Sequence, residues 1–106
     1  MKWAMKEYKK VVLKIGSALI TENNSESCSL IKNLSKQISE LNKDVQFIIV
    51  SSGAISQGMN ILKINNKPRD LESLQALAAI GQQRLMGLYE ESFKKVHTLI
   101  AQVLLT

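Results

Sequence analysis

Phe47-Ile48-Ile49-Val50-Ser51-Ser52-Gly53-Ala54-Ile55 decides how this chain is read. Four apolar residues, three of them β-branched, run into two serines, a glycine and an alanine. An unbroken apolar run predicts a strand buried on both faces, as in a parallel sheet. The small residues after it occupy little volume, carry hydroxyls and lead into helix-like sequence. A strand, a small turn and a helix N-terminus present backbone N–H groups that lack intrahelical partners. The turn is therefore expected to hold a carboxylate or a phosphate.

Upstream, Val11-Val12-Leu13-Lys14-Ile15 predicts a first strand ending in Gly16-Ser17. Thr21–Ser29 is polar and turn-like, with Ser27 or Ser29 as candidate cap. Leu30, Ile31, Leu34, Ile38 and Leu41 then follow the three-and-four spacing of an amphipathic helix, closed by Asn42-Lys43-Asp44. A strand, a crossover helix and a second strand over Val45–Val50 imply parallel strands joined with right-handed sense. Parallel strands bring their carboxyl ends to one sheet edge. Gly16-Ser17 and Ser51-Ser52-Gly53 are thus expected to face one crevice, the place where open α/β sheets bind ligands. The residues leave two readings of Lys14 open: a strand-end lysine whose stem snorkels to water, or a charge aimed into that crevice.

Downstream, Ile55–Leu62 predicts a short helix with Gly58 as its weak point. Lys63–Arg69 is a polar loop holding the single proline, Pro68, and Asp70 is placed to cap a long helix from Leu71 to about Lys95. Leu71, Leu74, Leu77, Ala78, Gly81, Leu85 and Leu88 trace one stripe on it, and Ala76, Ala79, Ile80, Met86 and Tyr89 a second. Gly81 and Gly87 each cost about 1 kcal/mol in a helix interior. That cost points to close approach of another element around Ala76–Gly81, of which a subunit interface is one form. Thr98–Leu105 is nearly all apolar and predicts a third strand. Three parallel strands make a thin sheet. Residues 1–106 are therefore expected to form the N-terminal part of a single larger α/β domain, or to be completed by a partner.

With 106 residues, 45% hydrophobic and 22% charged, the chain is expected to fold as one soluble unit. One cysteine, Cys28, excludes a disulfide framework and a cysteine zinc site within the chain, and one histidine, His97, excludes a histidine cluster. No apolar run is long enough for a membrane span and no signal peptide is evident, so no membrane association and a cytoplasmic setting are expected. The net charge of +5 comes from 12 lysines and two arginines set against nine acids. The lysines are scattered singly with few aromatics, the pattern of a solvated surface rather than of a nucleic-acid module. A nucleic-acid partner is not expected.

Familiar catalytic signatures are missing. There is no P-loop and no G-x-G-x-x-G after either strand. The sequence around Ser52 is Ser51-Ser52-Gly53-Ala54 rather than a nucleophile elbow, and no histidine follows an acidic partner, which weakens a serine hydrolase reading. Gln82, Gln83 and Arg84 read as surface or interface contacts.

Taken in order, Val11–Ser17, Ile49–Ile55, Leu74–Met86 and Ala101–Thr106 resemble the glutamate 5-kinases of the amino acid kinase family. The resemblance covers the chain from about Val11 to Thr106. Related carbamate, aspartate, N-acetylglutamate and uridylate kinases carry variants of the first two motifs. The Ala78-Ala79-Ile80-Gly81-Gln82 segment is more particular to glutamate 5-kinases, and also resembles the kinase half of pyrroline-carboxylate synthases.

The resemblance implies a three-layer sandwich of helices around a mainly parallel sheet. It implies transfer of a phosphoryl group from ATP, with Mg2+, to the γ-carboxylate of L-glutamate, the first step of proline synthesis. It implies Lys14 as the catalytic lysine on the transferring phosphoryl group, with Gly16 and Ser17 beside the nucleotide phosphates. Ser52 is implied as the glutamate-binding serine, with Gly53 and Ala54 offering backbone contacts. A homo-oligomer through the 71–95 helix is expected. The second half of such a kinase, with the adenine pocket and the metal ligands, is absent from the sequence, so the 106 residues alone are expected to be inactive. The alternatives are a non-catalytic glutamate-binding or regulatory remnant of the same fold, or a kinase half of a pyrroline-carboxylate synthase.

Overall fold

The computed structural model describes residues 10–16 and 24–103, excluding the side chains of 24–28. The order of elements is β1 (Lys10–Ile15), α1 (Asn24–Leu41), β2 (Gln46–Ser51), α2 (Ala54–Leu62) and α3 (Leu71–Lys95). β1 and β2 pair in parallel with Val11 opposite Phe47, Leu13 opposite Ile49 and Ile15 opposite Ser51. The β–α–β unit and its parallel pairing follow the reading of the sequence.

The pleat sorts the strand residues. Val11, Leu13, Ile15, Phe47, Ile49 and Ser51 turn to the covered face. Val12, Lys14, Ile48 and Val50 turn the other way. The expectation that Phe47–Val50 would be buried on both faces is corrected: Ile48 is 52% and Val50 46% exposed. An apolar run makes both faces apolar, but the helices cover only one of them among the described residues. Ile15 of β1, Ile31 and Ile38 of α1, and Leu85, Tyr89 and Phe93 of α3 form the buried core there, flanked by Leu13, Phe47 and Ile49. The described residues thus form an α/β arrangement with a parallel sheet, built as one sheet layer and one helix layer.

α1 begins at Asn24, six residues before its first periodic leucine, so Ser27, Cys28 and Ser29 lie within the helix rather than in a loop or cap. Inside it Ser35 is buried, and its Oγ donates to the carbonyl of Lys32 at 2.8 Å. That bond satisfies a hydroxyl that would otherwise be costly in the core.

α3 has the bounds the periodicity and cap predict. The Oδ2 of Asp70 accepts from the N–H of Ser73 at 2.9 Å, which occupies one of the helix's orphan donors. Leu77, Gly81, Leu85, Tyr89 and Phe93, spaced by four, form its buried line. The second apolar face is not buried as a unit: Ala76, Ala79 and Ile80 are exposed, as is Leu71 at the start of the first stripe.

α2 crosses α3 at two glycines. A β-carbon on Gly58 would overlap the carbonyl of Leu77, and one on Gly81 would overlap the carbonyl of Ala54. The close approach expected near Ala76–Gly81 therefore exists within the chain, whereas a β-carbon on Gly87 would meet nothing within 4 Å.

Both α2 and α3 end in a paired C-terminal hydrogen-bond motif. Lys63 donates to the carbonyl of Asn60 and Ile64 to that of Met59, while His97 donates to that of Lys94 and Thr98 to that of Phe93. Lys63 (φ 57°) and His97 (φ 56°) take the left-handed conformation this motif requires. The strand expected over Thr98–Leu105 is not formed within 98–103, and 104–106 lie outside the described residues. Ile100 packs back on the core while Leu99 is 97% exposed. An apolar run becomes a strand only where a neighbouring strand offers a ladder, and the described residues supply none to this segment. Among the described residues no helix is long and apolar enough to cross a membrane.

Candidate functional site

The carboxyl ends of β1 and β2 meet at one edge, and the ladder continues one step past β2. The N–H of Ser52 donates to the carbonyl of Ile15 at 3.0 Å. This bond fixes where Ser52 sits relative to β1. Lys14 stands opposite Val50 in the register. Alternation of the pleat, continued through Ser52, sets Ser52 on the same side as Val50 and one step along from Lys14. Lys14 and Ser52 are both exposed. A cation and a hydroxyl thus lie near one corner of the sheet, at the edge where the parallel pairing brings the two strand ends together.

Gly53 turns the chain from strand into α2 with φ 113° and ψ 4°. A side chain is strained at that φ, so glycine is required here. Gly53 is also the N-cap of α2, with no side-chain cap, and its carbonyl accepts the first helical bond, from the N–H of Gln57 at 2.9 Å. By helix geometry the amides of Ala54, Ile55 and Ser56 have no intrahelical acceptor. The positive end of the helix dipole lies in the same place. The structure refines the sequence reading in one respect: the amide of Ser52 is committed to Ile15 and is not a donor for an anion, whereas the Ser52 hydroxyl and the first-turn amides are.

Gly16 is exposed, and a β-carbon there would meet nothing within 4 Å. Space for a ligand to approach its backbone is present. Ser17 lies outside the described residues. Gln82 is half-buried, with Gln83 and Arg84 exposed, in keeping with their reading as surface contacts. A shallow cleft of about 220 Å³ between α1 and α3, lined by Ser29, Lys32, Glu91, Ser92 and Lys95 among others, includes none of the site residues. It is secondary to the sheet edge, where the donors converge.

Two features behind the turn were not visible in the sequence. The hydroxyl of Tyr89 donates to Ser51 Oγ at 2.9 Å, linking residues 38 positions apart. Burial pushes the Tyr89 phenol above its ordinary pKa, with the Ser51 bond acting in the opposite direction. Gln57, in α2, is almost fully buried. The signal for Tyr89 was a lone polar tip on an otherwise apolar helix face. Buried tyrosines need a partner for that tip, but nothing in the sequence says which.

Residues 9–106 match the amino acid kinase family. The chain is similar to the glutamate 5-kinase of Geobacter sp. (strain M21), 42% identical over 104 residues, which is 96% of this chain and 28% of that protein. It is similar to the glutamate 5-kinase of Clostridium perfringens (strain 13 / Type A), 40% identical over 108 residues, covering 100% of this chain and 40% of the relative. That of Lactococcus lactis subsp. lactis (strain IL1403) is 43% identical over 100 residues, 92% of this chain and 37% of the relative. The chain thus spans between 28% and 40% of the length of these curated relatives. With a helix-backed parallel sheet and a match over nearly its whole length, the chain belongs to the amino acid kinase family.

Proposed function

We propose that this chain is the part of a glutamate 5-kinase that carries the acceptor turn and the phosphate-facing lysine. The observation that supports this most directly is the shared corner of Lys14 and Ser52, with Ser52 two residues beyond Val50, the register partner of Lys14, beside the N-terminus of α2. On this reading the reaction is the one the family resemblance implies: ATP and L-glutamate give ADP and γ-glutamyl phosphate, the opening step of proline synthesis.

The chemistry fits these groups. The attacking γ-carboxylate is ionised at neutral pH, so no general base is required, and none stands at this edge among the described residues. Phosphoryl transfer depends on positioning and on neutralising charge. Ser52 Oγ and the first-turn amides of α2 orient glutamate. Lys14 supplies positive charge to the phosphoryl group in flight, where a preorganised cation is worth most. The family resemblance assigns Gly16 and Ser17 to the nucleotide phosphates; of the two, Gly16 is among the described residues, exposed and with open space where a β-carbon would stand. Magnesium enters only as the companion of ATP. Among the described residues no group of three His, Cys, Asp or Glu side chains is placed to hold a metal, and the groups at this edge bind anions. A cytoplasmic location goes with the same reading.

Self-association through α3 is also part of it, supported by exposed Leu71, Ala76, Ala79 and Ile80. A particle that stays monomeric at every concentration in sedimentation velocity would count against that.

The test is a chimera in which residues 9–106 replace the matching segment of the Clostridium perfringens relative, assayed by trapping γ-glutamyl phosphate with hydroxylamine. ATP- and L-glutamate-dependent hydroxamate is expected. A folded chimera that forms none rejects the reading. The 106 residues alone are expected to form none, and product from the isolated chain would contradict that part.

A further inference from the structure

Among the described residues, α3 backs the turn assigned above to glutamate, whose Ser52 amide is tied to β1. α3 reaches it at two points on its buried line. At Gly81 the helix backbone lies against the carbonyl of Ala54, in the first turn of α2. At Tyr89 the phenol hydroxyl donates to Ser51 Oγ at 2.9 Å, and Ser51 Oγ in turn points at the carbonyl of Ser52, 3.4 Å away. Residues 81 and 89 are about 12 Å apart along a helix. The two fixed points therefore bracket the turn from the end of β2 to the start of α2.

Tyr89 is 5% exposed and belongs to the core cluster with Ile15, Leu85 and Phe93. Its ring is fixed by packing, which makes its hydroxyl a stationary donor. At neutral pH the phenol carries its proton, and burial raises its pKa further above the ordinary 10.0. A buried tyrosine can satisfy its hydroxyl on any nearby carbonyl. Here the partner is the side chain of the last β2 residue, adjoining Ser52.

We propose that Tyr89 is a positioning residue: acting through Ser51, it sets the orientation of the Ser52-Gly53-Ala54 turn and so its affinity for a carboxylate ligand. The affinity half of this statement rests on the glutamate reading, and the orientation half does not. Loss of the hydroxyl leaves Ser51 Oγ without its donor and lets the turn explore other orientations while the ring still fills the core.

The experiment uses the full ¹⁵N-labelled chain with Tyr89→Phe, and Ser51→Thr as the conservative variant that keeps the acceptor. Amide exchange is followed at Ser52, Gly53 and Ala54 and at Ile31 and Ile38 in α1, with L-glutamate titration read at the same turn amides. Tyr89→Phe is expected to speed exchange at the turn by about 2- to 10-fold, the worth of one net hydrogen bond, with α1 unchanged. L-glutamate is expected to bind more weakly by a similar factor, and Ser51→Thr to behave as the parent. Turn amides unaltered in Tyr89→Phe, or every amide accelerated equally, overturns the positioning role. If glutamate moves no turn amide in the unsubstituted chain, the glutamate reading fails by itself, and the exchange comparison still decides whether Tyr89 orients the turn.

Discussion

The α-carbon of Gly58 in α2 abuts the carbonyl of Leu77 in α3, leaving no room for a side chain. Gly81 stands in the reciprocal relation to Ala54. The two helices therefore cross backbone to backbone, and the start of α2, where the anion donors lie, is located by that contact.

Gly58→Ala and Gly81→Ala should each destabilise the chain. The clashing atoms are backbone and cannot swing aside. Overpacking of this kind costs about 1–3 kcal/mol and can exceed the roughly 1 kcal/mol that alanine gains over glycine in a helix. Gly87→Ala meets nothing and should be neutral or stabilising by up to about 1 kcal/mol. Urea denaturation of the three variants measures this. A Gly81→Ala variant as stable as Gly87→Ala would refute the packing described.

Lys63 adopts φ 57° at the C-terminus of α2. An L-residue in that region is disfavoured by about 1–2 kcal/mol, part of which glycine returns as lost chain entropy. Lys63→Gly is therefore expected to raise stability by about 0.5–1 kcal/mol. A lower urea midpoint for this variant would contradict the assignment.

Hydrogen bonds from the Ser73 side chain and backbone hold the Asp70 carboxyl below its ordinary pKa. A carboxyl depressed in the folded state contributes stability that is present above its unfolded value, near 3.8, and is lost as pH falls through the folded value. Asp70→Asn keeps a capping oxygen and should lower the thermal midpoint less than Asp70→Ala does. The difference in midpoint between parent and Asp70→Ala should shrink below pH 4. A difference that does not change with pH would show that the carboxylate is not the cap.

Tyr89 carries the opposite sign. Its phenol is raised by burial above the ordinary value of 10.0. Above pH 10 the unfolded chain gives up this proton while the folded chain keeps it, so the stabilising contribution is complete below 10 and is lost as pH rises towards the folded value. Tyr89→Phe should remove this component, so parent and variant should converge in relative stability with rising pH. Parallel stability curves from pH 8 to 11 would exclude the buried phenol.

Much of this architecture is legible in local pattern. The apolar runs at Val11–Ile15 and Phe47–Val50, the spacing of Leu30 to Leu41 between them, and the Asp70 cap before a long period of leucines predict the β–α–β unit and α3. Each depends on residues near one another in sequence. What was not legible depends on partners far away. The start of α1 at Asn24 has no apolar period to announce it. The exposed face at Ile48 and Val50 follows from which layers cover the sheet, and the apolar run expected as a strand over Thr98–Leu105 forms none within 98–103, where the described residues offer no ladder. Gly58 looked like a weak point of α2, yet it is required, because the requirement comes from Leu77. At the site, Lys14, Gly16, Ser52, Gly53 and Ala54 were named from strand-end chemistry and family resemblance. Tyr89 was not, since only the folded chain brings it to Ser51.

The central claim is that Lys14 and the Ser52 turn divide the reaction between donor and acceptor. The most direct measurement is steady-state hydroxamate formation by the chimera carrying residues 9–106, with Lys14→Met and Ser52→Ala compared against it. Lys14→Met is expected to lower kcat by about 10²–10³ with little change in KM for glutamate, as loss of a transition-state charge does. Ser52→Ala is expected to raise KM for glutamate about tenfold or more, the worth of a hydrogen bond to a charged group. A Lys14→Met chimera turning over at the parent rate, or a Ser52→Ala chimera with unchanged KM for glutamate, would contradict the account.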